Sequence, residues 1–370
     1  MKNRFLTCAI VLIVISSGLF VITTTASSRL QRSNIIESFL LSTNPIQQHI
    51  HSLLYRQQPS NEFNFSPQEI SLQDDAFHAA DSLHFSEWWY FDAILNDGYS
   101  LQFIIQVYSM FNQHMVNARL NLYYQGELIV KKDKFYLPTD FTTSTRIPLV
   151  LLNDKRVMSA KTVDGHLEYL LEIQMDDVQG TFTFTGTTPG WKGDVAVGHW
   201  IVPLPKADVK GTLTIGTEQL VLSGIGYHDH NYEITAETGL YFGWYWGKIH
   251  TESTSITWSN IMPTCFLNEP LLVINTDTGS FFNIDQKDIT ITADDFYFEN
   301  GCLIPHSFLL DVSNDQVNLK ITMDVLDIHH VRVGLIKYWR YHVHATGSLT
   351  INEQHESIDE YQITEFIRFR

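Results

Sequence analysis

From Glu87 onward, apolar and polar positions alternate with a period of two. Between Ser100 and Met110, Leu101, Phe103, Ile105 and Val107 alternate with Gln102, Ile104, Gln106 and Tyr108. That period puts one set of side chains on each face of a strand. Asn96-Asp97-Gly98, just upstream, is a hairpin-turn signal. The pattern recurs at Ala118 to Tyr124 with its Gln125-Gly126 turn, at His166 to Met175 after Asp164-Gly165, at Gly180 to Gly186 and at Gly211 to Ile215. A second series covers Leu240 to His250, Ser255 to Thr264, Leu271 to Asn275, Asp288 to Phe298, His306 to Val312, Asn318 to Asp327, Tyr338 to Ile351 and Glu356 to Arg370. Short strands separated by turns predict antiparallel barrels or sandwiches, not βαβ units. The expected fold class is all-β, with two consecutive antiparallel barrel domains.

The N-terminal part has a different grammar. Lys2 and Arg4 precede an apolar run from Phe5 to Ile22, with small residues near Ala26. This fits an export signal; at about 18 residues the run is also long enough for an uncleaved anchor. Either reading places the folded part outside the cytoplasm and makes this segment the one route to a membrane. Residues 34 to 60 read as helical or irregular, with Asn34 and Glu37 at a capped start and Pro45 as an interruption. The expected division is a signal or anchor over 1–26, a lead-in over 27–80, a first barrel over 81–232 and a second over 233–370.

Composition narrows the partners. The 370 residues are 44% hydrophobic and 13% aromatic, ample for packed cores. With 24 basic against 41 acidic residues the formal charge is −17, which argues against nucleic acid and anionic lipid as partners. Cys265 and Cys302 follow the leader, and in an oxidising compartment they form one disulfide or stay two separate thiols.

The candidate chemistry lies in Tyr227-His228-Asp229-His230-Asn231. On a strand, His228 and His230 point one way and Tyr227, Asp229 and Asn231 the other. Three readings are open. His-x-His offers two imidazoles to a metal, with a third ligand from His329-His330 or His342-x-His344, but no His-Glu-x-x-His or cysteine pair supports zinc. Asp229 facing an aromatic cavity would have its charged form disfavoured, and so could protonate a carbon–carbon double bond beside ring faces that stabilise the cation. Alternatively the cluster closes the end of a barrel. Trp88, Trp89, Tyr90 and Phe91 near the first strand, and Tyr241, Phe242, Trp244, Tyr245 and Trp246 in the second half, either line a ligand cavity or pack as core. Glu87 adds a polar group beside the tryptophans.

Ser-Glu-Trp-Trp-Tyr at 86 to 90, Gly-Tyr-His-Asp-His-Asn at 226 to 231 and Gly-Trp-Tyr-Trp-Gly at 243 to 247 together resemble the lipocalin-like family of the carotenoid 1,2-hydratases (hydroxyneurosporene synthases, CrtC-like) and AttH proteins. Certain pericyclic-reaction enzymes are more distant relatives of that family. The resemblance spans roughly residues 80 to 370 and implies two lipocalin-like barrels with a pocket between or within them. It implies that Asp229 is the catalytic acid, in a Tyr-x-Asp element with Tyr227, and that His199-Trp200 is the pocket-lining His/Trp pair. The chain departs from the family at Ile201 and Val202 before Pro203, where tyrosines are usual, and at Tyr232, where tryptophan is usual. The resulting expectation is an exported protein that binds an apolar, isoprenoid or lipid-like small molecule. Asp229 and Tyr227 would be catalytic; His199, Trp200, Glu87, Trp88, Trp89, Asn231, Trp244 and Trp246 would bind substrate; His228 and His230 would support them. No cofactor or metal is expected, and the alternative is a non-catalytic lipid carrier.

Overall fold

In the computed structural model, the described residues are 58–59, 65–78, 84–110, 113–333 and 336–369. The expected leader over 1–26 and the helical stretch within 34 to 60 lie outside or almost wholly outside them. Among the described residues there is no α-helix; strands are joined by tight turns and short 3-10 segments. None of these segments is a helix long and apolar enough to cross a membrane.

The strands form two sheets. The first has 13 strands, and its main path begins with Glu127–Tyr136, Gln113–Tyr124, Tyr99–Met110 and His84–Leu95. Next come Glu218–Ile234, Gly198–Ile215, Val178–Gly186, His166–Met175, Lys155–Val163, Leu149–Leu152 and Phe141–Thr143. This sheet curls into a nearly closed barrel. The second has 10 strands and forms a half-barrel. Its path is Gln58–Pro59, Leu267–Thr276, Thr254–Thr264, Gly243–His250, Gln354–Arg368, Ile336–Ile351, Val317–Val333, Cys302–Ser313 and Ile289–Glu299. Pairing is antiparallel throughout, apart from the two-residue strand Gln58–Pro59 on Leu267–Asn268. No disulfide joins Cys265 to Cys302.

The turn chemistry works as the sequence predicts. Asp97 and Gly98 take φ of 57° and 80° between the first two long strands, the left-handed region that Asp and Gly tolerate best. Leu101, Phe103, Ile105 and Val107 all enter the barrel core with Trp89, Phe91, Phe182 and Phe184. A separate core, with Trp258, Phe308, Trp339 and Tyr341, fills the second sheet's concave side.

One pairing positions the candidate chemistry. The first long strand, His84–Leu95, lies beside Glu218–Ile234, so that Trp88 faces Asn231, Trp89 faces His230, Tyr90 faces Asp229, Phe91 faces His228 and Asp92 faces Tyr227. Alternation then splits the pair. Trp89, Phe91, His228 and His230 point into the first barrel, while Tyr90, Asp92, Tyr227 and Asp229 point toward the second sheet. Gly226 permits this close packing, since a Cβ there would sit 2.5 Å from Val209 and 2.6 Å from Phe184. On the other flank, Gly198–Ile215 carries Pro203 and Pro205, and its register shifts between Ile201 and Leu204 and again between Leu204 and Ala207. Proline cannot donate to the ladder, which accounts for the irregularity.

Candidate active site

Where the two sheets meet, the outward face of Glu218–Ile234 is buried under aromatic rings. Phe65, Tyr90, Trp191, Trp200, Tyr227 and Trp246 form one cluster drawn from both sheets, with Trp88 and Trp244 at its margin. Trp246 lies 5.1 Å from Tyr227 and 5.4 Å from Tyr90, ring centre to ring centre. Trp191 meets Trp200 edge-on at 5.1 Å.

Asp229 sits within this cluster, 5% exposed. Its Oδ2 accepts hydrogen bonds from Trp200 Nε1 at 3.0 Å and from Tyr227 OH at 2.9 Å. Its Oδ1 accepts a longer one, 3.2 Å, from Asn231 Nδ2. All three donors are neutral. Burial penalises the charged carboxylate, and the indole and phenol donors offset only part of that penalty, so the pKa rises to about 7. Nearby Glu365 raises it further and His230 lowers it. With Oδ2 taking two donors, Oδ1 is the oxygen left to carry a proton. Tyr227 stays a phenol, because burial and then the Asp229 charge hold its pKa well above 10.

Beside this acid lies a charged network that sequence reasoning missed. Lys248 is fully buried, bonded to Asp92, with Nζ 5.7 Å from the Tyr227 ring centre and 5.4 Å from that of Trp246. Arg340 donates to Asp92 Oδ2 at 2.6 Å, to Glu365 Oε1 at 2.9 Å and to Tyr90 OH at 2.8 Å. Tyr90 OH in turn lies 2.7 Å from Glu365 Oε1 and 2.9 Å from Asp92 Oδ2. Burial would raise the Asp92 pKa, but Arg340 and Lys248 hold it well below the usual carboxylate range. Glu365 goes the other way, raised by burial that Arg340 and two tyrosine donors do not fully offset. A signal for this network was present in the sequence. Each charge interrupts an aromatic or apolar stretch: Asp92 after Phe91, Lys248 before Ile249, Arg340 between Trp339 and Tyr341, Glu365 before Phe366.

The inward face holds a different cluster. Asp75, from the segment expected to be a polar lead-in, enters the barrel on the 3-10 turn Leu72–Asp75. Its Oδ2 lies 3.2 Å from His228 Nε2 and accepts from Tyr169 OH at 2.8 Å, and its Oδ1 lies 3.1 Å from His230 Nδ1. Glu87 Oε1 lies 2.8 Å from His230 Nε2. Burial opposes charge on Asp75, yet the two imidazoles hold its pKa well below normal. His230 is likewise penalised by burial but lifted to about 9 by Asp75 and Glu87.

The structure therefore sorts the expected site residues into groups. Asp229, Tyr227, Asn231, Trp200 and Trp246 come together in the seam, with Trp88 and Trp244 at its edge. Glu87 and Trp89 share the barrel interior with His228 and His230, on the opposite face from Asp229. His199 turns away from Trp200, stacks on Tyr232 at 4.5 Å and bonds Asp194 and Glu233 near the surface. Of the candidate third ligands for a His228–His230 metal, His342 bonds Ser100 at 2.9 Å and His344 bonds Asp359 at 2.6 Å, while the rings of His329 and His330 pack against Tyr123 and Trp339.

No protein-family model and no curated protein matches the sequence. Solved structures do match in fold. An AttH protein of Nitrosomonas europaea aligns over 82% of this chain and 97% of its own, with TM-score 0.62 and 13% identity. Kievitone hydratase from Nectria haematococca aligns over 85% of this chain and 96% of its own, with TM-score 0.54 and 13% identity. CghA in complex with Sch210972 aligns over 82% and 98%, with TM-score 0.50 and 10% identity. The chain has a lipocalin-like fold. At such identities the likeness concerns architecture, and the site must be argued from its own residues.

Proposed function

We propose that this protein binds an apolar, isoprenoid or lipid-like small molecule at the aromatic seam, and that Asp229 protonates a carbon–carbon double bond of it. The observation that carries this reading is a buried carboxyl held only by neutral donors among tryptophan and tyrosine rings. Such a group is stable as the neutral acid and has an oxygen, Oδ1, on which to carry the proton. The Oδ1–H bond breaks toward one alkene carbon and leaves a carbocation on the other. Ring faces of Trp246 and Tyr90 stabilise that cation. Water addition with return of a proton to the carboxylate gives hydration; loss of a proton from a neighbouring carbon to the carboxylate gives isomerisation. Capture by a second double bond forms a ring and moves the cation, and loss of a proton beside the new cation to the carboxylate completes cyclisation. The name of one fold relative, a hydratase, supports this class of chemistry. Tyr227 orients the acid, and the export-type leader places the reaction outside the cytoplasm as part of the same proposal.

The test incubates the full chain and its Asp229→Asn variant with a membrane lipid extract and with acyclic polyprenols in heavy-oxygen water. Products are followed by mass spectrometry and chromatography. General-acid catalysis is worth roughly a hundredfold to ten-thousandfold, so Asp229→Asn should lose at least the lower figure of turnover while still binding lipid. Lipid bound equally by both proteins, with neither mass nor retention time changed, would instead make this a carrier.

A further inference from the structure

The interior cluster offers a second site, on the opposite face of the same strand from Asp229 and independent of the acid chemistry. We propose that His78, Glu87 and His230 bind one divalent transition ion of the zinc class.

One donor atom from each of these three residues lies within 4.8 Å of the other two. His78 Nδ1 and Glu87 Oε1 are 3.4 Å apart, the separation of two ligands each about 2.1 Å from a tetrahedral ion. Glu87 is fully buried. Its Oε1 already accepts the His78 backbone N–H at 2.8 Å and faces His230 Nε2 at 2.8 Å. Its Oε2 makes no hydrogen bond, and neither does His78 Nδ1. Two buried polar atoms beside one imidazole thus have nothing to satisfy them, a costly arrangement that a cation between them would relieve.

The surroundings hold the ligands as metal sites do. His230 turns its far nitrogen, Nδ1, to Asp75 Oδ1 at 3.1 Å, the carboxylate–histidine–metal arrangement that fixes an imidazole with its lone pair toward the ion. Asp75 is itself fixed by Tyr169 and His228. The His78 ring stacks on Tyr232 at 3.7 Å with an interplanar angle of 4°. Two imidazoles and one carboxylate suit zinc, cobalt or iron(II) and not calcium or magnesium, which take oxygen ligands. The His78 side chain is 26% exposed, so the site lies close to the surface. Three protein ligands also leave a fourth position for water. The spacing in sequence hides the set: His78, Glu87 and His230 match no familiar metal motif.

The experiment uses the untagged full chain, stripped with chelator and titrated with Co²⁺ under visible absorption, then with Zn²⁺ as competitor by calorimetry. One Co²⁺ per chain, displaced by Zn²⁺, is expected. His78→Ala and Glu87→Gln should each weaken binding roughly a hundredfold or more, since even indirect supports of a metal cost ten- to a hundredfold. His344→Ala, at an exposed pair with Asp359, should leave it unchanged. His78→Ala removes a partly exposed side chain and should fold normally, checked by circular dichroism. Less than a tenth of an ion per chain, or binding that survives His78→Ala, would overturn the site.

Discussion

Asp75 and Asp229 are buried carboxyls on opposite sides of the strand Glu218–Ile234, the first reaching its inner face from the turn Leu72–Asp75 and the second belonging to its outer face, and they behave oppositely. For both, burial is the largest influence and pushes the pKa up. Asp75 meets two imidazoles and a phenol, and is held far down. Asp229 meets an indole, a phenol and an amide, and rises to about 7. The two have similar numbers of hydrogen bonds; what differs is the charge on the donors. A neutral donor stabilises a carboxylate without repaying its desolvation, whereas a cation does both. One strand therefore holds an anchoring carboxylate through its imidazoles inside the barrel and carries a reactive acid outside it.

The comparison breaks most visibly at the anchor. Asp75→Asn puts an amide between two imidazoles, facing donors with donors and leaving Glu87 to balance the cluster. Removing one partner of a buried ion pair costs about 3–5 kcal/mol, so the urea midpoint should fall steeply with an unchanged slope. A loss under about 1 kcal/mol would show that the cluster is not ionised, and the contrast with Asp229 would collapse.

A somewhat smaller loss is expected in the seam. Arg340→Met keeps the volume but deletes the cation bridging Asp92 and Glu365, leaving Lys248 to neutralise Asp92. The destabilisation should be about 2–4 kcal/mol, less than at Asp75 because one cation survives. Adding Glu365→Gln should recover part of it, since the orphaned carboxyl is then gone. If the double variant is no better than the single, Glu365 is protonated in the native protein, which would place a second neutral acid beside Asp229.

Alternation makes the two-faced strand legible: it separates His228 and His230 from Tyr227, Asp229 and Asn231, and Asn96-Asp97-Gly98 marks the turn that the structure forms. Two things are not legible. Period-two patterning says which side chains share a face, not which faces meet, so nothing local marks Gln102, Asn121 and Arg340 as buried, although all three are. Partners brought together by barrel closure leave no local trace either. Asp75 is 153 residues from His228 in the chain and lies in a stretch whose pattern predicts only a lead-in. Adjacency to Trp88 suggests grouping Glu87 and Trp89 with the acid, but alternation assigns them to the other face, where they meet His230.

The finest test of the contrast is the pH dependence of stability in metal-free protein. Asp75 and Asp92 have depressed pKa values, so their contribution is present above an unfolded value of about 3.9 and lost as pH falls toward their folded values. Asp229 is raised, which reverses the sign: folding favours its protonated form, and the penalty for ionising it grows as pH climbs from about 4 to about 7. His230, lifted to about 9, contributes fully below about 6.5 and loses its contribution as pH rises through 9, so measurements at pH 5 and pH 8 bracket Asp229 with only part of the His230 loss. Asparagine at 229 has no proton to lose. Relative to the native chain, Asp229→Asn should therefore gain about 1–3 kcal/mol of stability on going from pH 5 to pH 8, read from paired denaturation curves in which the His230 effect cancels. A flat difference would mean that Asp229 is ionised at both pH values, as Asp75 is, and the neutral donors around it would have to be worth as much as imidazolium.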